Sequence, residues 1–345
     1  MIEKIRFDNF TAFDSLDINT SKGINIFIGE NGTGKTHILK AIYSACHITK
    51  SKKSLAHKIN DVFYPAGKQI GRLVKRTKGS TGGWFEVKRR LSTGQEATIK
   101  LSLTNHNTSP EQTKLSGSTK LWMEEPFASV FIPVKDMMAN APGFRSMFAL
   151  RNLHFEEVYL DIIDHAFLPS IRGPIDSDRA NLLEILQKAM EGKVIEKNEE
   201  FFLKNKQGEL EFTLLAEGHR KLGLLWLLIQ NGSLLNGSVL FWDEPETNLN
   251  PKLLETVVKI LIELQRLGVQ IFISTHDYVL LKEFDLATNE SDQVCYHALY
   301  RKKSDNEIAY VQSDNLLNLA PNAIDDTFGS LIHRQISKEM GGLGK

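Results

Sequence analysis

The eight residues GENGTGKT, Gly29 to Thr36, constrain the fold of this chain more than any other stretch. They follow a short apolar run, "GINIFIG", and precede "KTHILKAIYSAC", in which Ile38, Leu39, Ile42 and Cys46 recur at helical spacing. The order is therefore buried strand, glycine loop, helix. Glycines at 29, 32 and 34 let backbone N–H groups turn inward around an anion, and the start of the helix adds its own unpaired N–H groups. The segment matches the phosphate-binding loop pattern in full. In that pattern Gly29, Asn31, Gly32 and Gly34 line the phosphates, Lys35 neutralises β- and γ-phosphate charge, and Thr36 offers a hydroxyl to Mg²⁺.

The second half of such a site needs a buried strand that ends in an acid. "SVLFWDEPE" supplies one: Val239 to Trp242 are apolar, and Asp243 and Glu244 follow. Adjacent residues at a strand end point in different directions, so Asp243 is assigned to the metal and Glu244 to the general base. A further buried strand, "VQIFIST", ends at Ser274, Thr275 and His276. At the carboxyl end of a parallel strand His276 is placed to reach the γ-phosphate.

Strand runs alternate with helical runs over much of the chain, which predicts an α/β fold with a largely parallel sheet covered on both faces. "EKIRFDNFTAFDSLDIN" reads as a strand pair, and "WFEVKRRLSTGQEATIKLSL" as two strands about a Ser-Thr-Gly turn. "TNHNTSPEQTKLSGSTK" reads as an exposed loop, "ASVFIPV" as a strand and "EFFLKNKQGELEFTLL" as a hairpin. "QVCYHALYRKKSDNEIAYVQ" reads as an edge hairpin and "DDTFGSLIHRQISKEM" as a closing helix. The expected organisation is one domain over residues 1–335, with an antiparallel β subdomain at 65–135, a helical insertion at 144–200 and a tail at 336–345.

Composition places the protein in a cytoplasmic setting: no apolar run is long enough to cross a bilayer, no secretion signal is legible, and the two cysteines, Cys46 and Cys295, lack ligand spacing. Net charge is +0, yet residues 50–100 hold thirteen Lys and Arg against three Asp and Glu. Such a block is either a solvated surface or a phosphate-tracking one, and Trp84 and Phe85 among the cations leave nucleic-acid contact open. On "FEEVYLDIIDHAF", Glu157, Asp161, Asp164 and His165 share a helical face; a solvated acidic face explains them better than a metal site.

Between the two halves of the site lies "LLAEGHRKLGLLWLL", a Glu-Gly pair and three potential cations at the head of an apolar segment. With "GENGTGKT" before it, and "VLFWDEPETNLNP" and "ISTHD" after it, the chain resembles the ABC-type ATPases: the order is that of Walker A, signature, Walker B with D-loop, and H-loop. The opening "IRFDNFTAFDSLDI" is similar to the start of the RecF, SMC and OLD-like members. No heptad array suits an SMC coiled coil, and the form "EPETNLNP" looks like the OLD-like AAA family ATPases of anti-phage systems such as Septu and PARIS. The resemblance implies a homodimer, or a larger homo-oligomer, that sandwiches ATP and Mg²⁺ between one subunit's P-loop and the other's signature.

Gly218, His219 and Arg220, with Lys221 nearby, would then meet the partner's γ-phosphate from a helix N-terminus. Ala216 stands where the family's signature has serine. The Q-loop position falls near "FIPVKDMM", where Asp136 is either a ligand of a metal-bound water or a surface residue. The resemblance further implies a separate nuclease or toxin effector. Three readings follow: an ATPase that regulates an effector in anti-phage defence, a nucleotide-gated docking module with negligible turnover, and a RecF-like DNA-repair ATPase.

Overall fold

The computed structural model describes residues 1–151, 153–173 and 176–342. The first third contains β1 (Ile2–Phe10), β2 (Phe13–Asn19), β3 (Ile24–Gly29), α1 (Lys35–His47), α2 (Leu55–Phe63), β4 (Gly82–Arg90) and β5 (Glu96–Thr104). The middle contains β6 (Lys114–Gly117), α3 (Thr119–Glu124), β7 (Ser129–Ile132), α4 (Phe144–Leu150), α5 (Glu157–Ala166), α6 (Ser177–Met190), β8 (Lys193–Lys197), β9 (Glu200–Asn205) and β10 (Gly208–Glu211). The last third contains α7 (Glu217–Gln230), β11 (Val239–Asp243), α8 (Pro251–Arg266), β12 (Gln270–Ser274), α9 (Tyr278–Ala287), β13 (Val294–Arg301), β14 (Ile308–Ser313) and α10 (Ala323–Gly342).

The central sheet has the order β14-β13-β3-β12-β11-β7, parallel except at the β14 edge. Its inner strands are apolar on both faces because both are covered. One face presents Ile26, Ile28, Leu240, Trp242, Ile271 and Ile273 to a core shared with α6, α7 and α8. The other presents Phe27, Phe131, Phe241 and Phe272 to a second core with α1, α2 and the antiparallel sheet. Phe131, Phe241 and Phe272 lie opposite one another on adjacent strands, with ring centroids 6.4 and 5.2 Å apart. This aromatic ladder sets the register across the strand that carries Asp243.

The antiparallel sheet has the order β2-β1-β4-β5-β6 and packs its Ile5, Phe7, Phe85, Val87, Ile99 and Leu101 face against α1. It departs from the expected 65–135 subdomain at both ends. β1 and β2 belong to it, whereas β7 leaves it to pair in parallel with β11. The stretch read as a loop at 104–120 holds β6, paired with β5, and the start of α3. β13 is interior to the central sheet, so only β14 is an edge strand. Helices α4, α5 and α6 occupy the span expected to be helical, and β8, β9 and β10 form a third, three-stranded sheet behind α7. Among the described residues no helix is long and apolar enough to cross a membrane.

The acidic face predicted for α5 is solvated only at Asp164; Glu157 and Asp161 are buried. Asp161 accepts from Tyr43 Oη at 2.7 Å and from Lys58 Nζ at 2.6 Å, and Lys53 Nζ reaches Glu157 at 2.6 Å. Lys58 is completely buried, so these carboxylates neutralise a cation inside the protein. Among the described residues no cluster of three or more His, Cys, Asp or Glu side chains could hold a metal ion. Part of the basic block at 50–100 is neutralised in the same way. Arg90 pairs with Glu3 and Glu96, Lys88 with Glu96, Lys75 with Asp14, and Arg89 is buried. Phe85 is core, and half-buried Trp84 carries the Lys100 ammonium 3.5 Å above its ring.

Candidate functional site

The site lies where the parallel strands β3, β11 and β12 end. Gly34 takes φ 92°, a left-handed value that L side chains avoid, and a Cβ there would stand 2.5 Å from Cζ of Phe13. Glycine therefore lets the loop close onto β2 while α1 starts at Lys35. No side chain caps α1, which leaves its first N–H groups facing the loop. Lys35 Nζ donates to the carbonyls of Gly29 at 2.8 Å and Glu30 at 3.1 Å, so the ammonium lies across the mouth of the loop. Burial holds the Lys35 pKa down to about 8, against the pull of Glu244 and Asp243.

Register brings the next groups together. Asp243 ends β11 directly opposite Ser274 at the end of β12. Asp243 Oδ1 accepts from Thr36 Oγ1 at 3.0 Å and also from the Ser274 hydroxyl. Burial pushes the Asp243 carboxyl up, and these two hydroxyls pull it back. Glu244 then turns away into left-handed backbone at φ 49°, its amide donating to Ser274 O at 3.0 Å. A non-glycine residue held there is strained and held by its surroundings. The turn aims Glu244 Oε1 at His276 Nε2, 3.4 Å away, while Thr247 Oγ1 donates to Glu244 Oε2 at 3.2 Å. Burial, with Lys35 nearby, lowers the His276 pKa, and Glu244 opposes that shift.

Gly29 to Thr36, Asp243, Glu244 and His276 are thus gathered in one place. Of the three signature residues, Gly218 and Arg220 make contacts within this subunit. Gly218 lies in the first turn of α7, where a Cβ would meet Leu249 Cδ2 at 3.2 Å, so its smallness serves packing against the segment after β11. Arg220 is not a free cation at a helix end: its Nε pairs with Asp136 Oδ2 at 2.5 Å, and its Nη1 donates to the carbonyls of Leu215 and Phe212 at 2.8 and 3.2 Å. Lys221 is buried and donates to Thr247 O. His219 is half-buried and exposed Ala216 caps the helix without a side-chain bond. The same ion pair corrects both readings of Asp136, which is buried against Arg220.

Sequence reasoning left Ser274 and Thr247 without roles. The signal for Ser274 was its place at the end of the strand beside β11, which becomes a position only once the register is known.

Nucleotide-loop strand, acid-ended neighbour, helical lobe and antiparallel lobe together define an AAA-family, ABC-type ATPase with an SMC/RecF-like head fold. Comparisons agree. The SMC head domain from Thermotoga maritima matches 90% of this chain and 98% of that one at 14% identity and TM-score 0.51. An SMC head bound to the C-terminal winged-helix domain of ScpA matches 90% and 97% at 14% identity and TM-score 0.56. At these identities the likeness is one of fold. In sequence, the DNA replication and repair protein RecF of Streptococcus suis is 36% identical over 78 residues, 23% of this chain and 21% of that protein. RecF of Cytophaga hutchinsonii is 50% identical over 50 residues, 14% of this chain and 13% of that protein. The aligned stretch thus spans about a fifth or less of the curated relatives' length. A family model matches residues 86–282, more than half of the chain. The chain belongs to that family, described as "AAA domain, putative AbiEii toxin, Type IV TA system".

Proposed function

We propose that this chain binds ATP with Mg²⁺, hydrolyses it, and uses the cycle to regulate a separate nuclease or toxin effector in anti-phage defence. The observation that carries the nucleotide reading is the cluster in which Thr36 and Ser274 both donate to Asp243 while Glu244 and His276 stand 3.4 Å apart beside it. The donor set fits Mg²⁺: a hydroxyl and a buried carboxylate at a helix N-terminus are hard oxygen ligands. Thr36 and Asp243 would hold the ion, whose chemistry when bound is to neutralise charge on the β- and γ-phosphates. Gly29, Asn31, Gly32, Gly34 and Lys35 bind and orient the phosphates. Glu244 accepts the proton of the attacking water, and His276 positions the γ-phosphate end of the site.

Two copies sandwiching two nucleotides complete the site, with Gly218 and His219 of each facing the other's γ-phosphate. Arg220 shapes that surface through Asp136. Ala216 in place of serine, together with the engaged Arg220, favours slow turnover, in which closure of the dimer is the output and hydrolysis resets it. The family's description as a toxin of a toxin–antitoxin system supports an effector-linked role over repair. The RecF likeness supports a nucleic-acid surface, for which Lys52, Arg72, Arg76 and Lys78 have no carboxylate partner among the described residues.

Steady-state phosphate release and solution mass with and without ATP test this reading. Glu244→Gln is expected to lower kcat by about 100-fold or more and to accumulate an ATP-bound dimer. Wild-type turnover no faster than that of Glu244→Gln would sink the hydrolysis reading, and an unchanged mass with ATP would sink the dimer.

A further inference from the structure

Glu246 has a placement that the nucleotide motifs do not account for. Its Oε1 accepts from Thr275 Oγ1 at 2.8 Å and from the His276 amide at 2.9 Å. Its Oε2 is buried without a hydrogen-bond partner among the described residues. Burial pushes the carboxyl's pKa up, and the Thr275 and His276 donors oppose that shift. A carboxylate is costly to bury, and one whose Oε2 is shut away from solvent needs donors that repay its desolvation. Thr275 and His276, which supply these donors, are the two residues immediately after β12.

The opposite side of the same contact is held by the same short segment. Thr247 donates to Glu244 Oε2, which leaves Oε1 toward His276. Glu244 itself is kept in left-handed backbone by its amide bond to Ser274 O. Pro245, between the two glutamates, restricts φ at the only residue separating them. Glu244 to Thr247 therefore grips both partners of the Glu244–His276 contact: Thr247 orients the carboxylate, and Glu246 orients the backbone under the imidazole.

We propose that Glu246 is the positioning residue for His276, whose shared acceptor Oε1 fixes the backbone at 275–276 and so sets the ring against Glu244. It acts through a hydroxyl and an amide, and what the geometry uses is an acceptor at Oε1. Glutamine keeps that acceptor; alanine removes it. The kinetic consequences rest on the hydrolysis reading above, but the structural consequence does not.

The test joins ATPase kinetics of Glu246→Ala and Glu246→Gln to hydrogen–deuterium exchange on the nucleotide-free proteins. Glu246→Ala is expected to lower kcat about 10- to 100-fold with KM for ATP within about twofold, and Glu246→Gln to recover kcat to within about threefold of wild type. Peptides spanning 273–280 exchange faster in the alanine variant and at the wild-type rate in the glutamine variant. Wild-type kcat in Glu246→Ala, equal losses in both variants, or unchanged exchange would each overturn the proposal. If wild type turns over no faster than Glu244→Gln, the hydrolysis reading fails and the exchange comparison alone decides. Should Glu246→Ala not fold, Thr275→Val removes one donor and is expected to lower kcat about 3- to 10-fold at constant KM; wild-type kinetics there would count against the positioning role.

Discussion

Arg89 and Lys35 are both cations that the chain buries, for opposite purposes. Arg89 gives its guanidinium to the carbonyls of Glu125, at 3.0 Å, and of Trp122, and lies over the rings of Trp122 and Phe127 with its Cζ 5.0 and 4.9 Å from their centroids. It closes the end of the antiparallel sheet onto α3 and is unavailable to a nucleic-acid backbone. Lys35 instead borrows loop carbonyls that a phosphate would replace. Arg89→Ala is therefore expected to lower unfolding free energy by about 3 kcal/mol, the worth of two charged hydrogen bonds, whereas Arg90→Ala, at an exposed and solvent-screened position, is expected to leave it nearly unchanged. Urea midpoints of the two variants measure the difference. Equal midpoints would show that Arg89 is an ordinary surface cation.

At the scale of elements, the head of α7 is tied to the segment after β11 and to the segment after β7. Its first turns are attached at several points: Gly218 to Leu249, Glu217 to Asn248 at 2.9 Å, Lys221 to Thr247, and Arg220 to Asp136 beyond β7. These contacts fasten α7 to the segment after β11, where Glu244 sits. Breaking one side of a buried ion pair strands the other charge. Burial already pushes the Asp136 carboxyl up, so loss of Arg220 favours its neutral form. Arg220→Leu is expected to cost about 3–5 kcal/mol, and Arg220→Leu with Asp136→Leu less than the sum of the single changes. Additive losses in denaturant titrations would mean that the two side chains do not depend on each other.

At the scale of the whole molecule, acid stability follows from histidines buried in neutral form. His297 is completely buried on β13; its Nε2 lies 3.1 Å from Asn25 Oδ1, an acceptor, so Nε2 carries the proton. Burial holds its pKa down to about 3, that of His47 to about 3 and that of His37 to about 4. Because these values lie below the unfolded-state value of about 6.5, the unfolded chain binds protons that the native protein does not. Their contribution is intact above about pH 6.5 and is lost as pH falls toward the folded values. His297 alone is expected to remove about 2 kcal/mol between pH 7 and pH 5. His297→Phe should flatten the fall in Tm over that window, and an unchanged slope would show that this ring is not the titrating group.

What could be read in advance was what neighbouring residues settle among themselves. The turn geometry of Gly29 to Thr36, the buried runs that became β11 and β12, and the helical period of α1 depend on φ/ψ preference and local burial, and they singled out Lys35, Thr36, Asp243, Glu244 and His276. What the tertiary structure alone decided were pairings across long stretches of chain: Asp136 with Arg220, Lys58 with Asp161, β7 with β11, and Glu246 with the backbone of His276. A charge run reads the same whether its partners are water or carboxylates brought in from a hundred residues away. Only folding chooses between them, because desolvation and hydrogen bonding act between groups that the sequence separates.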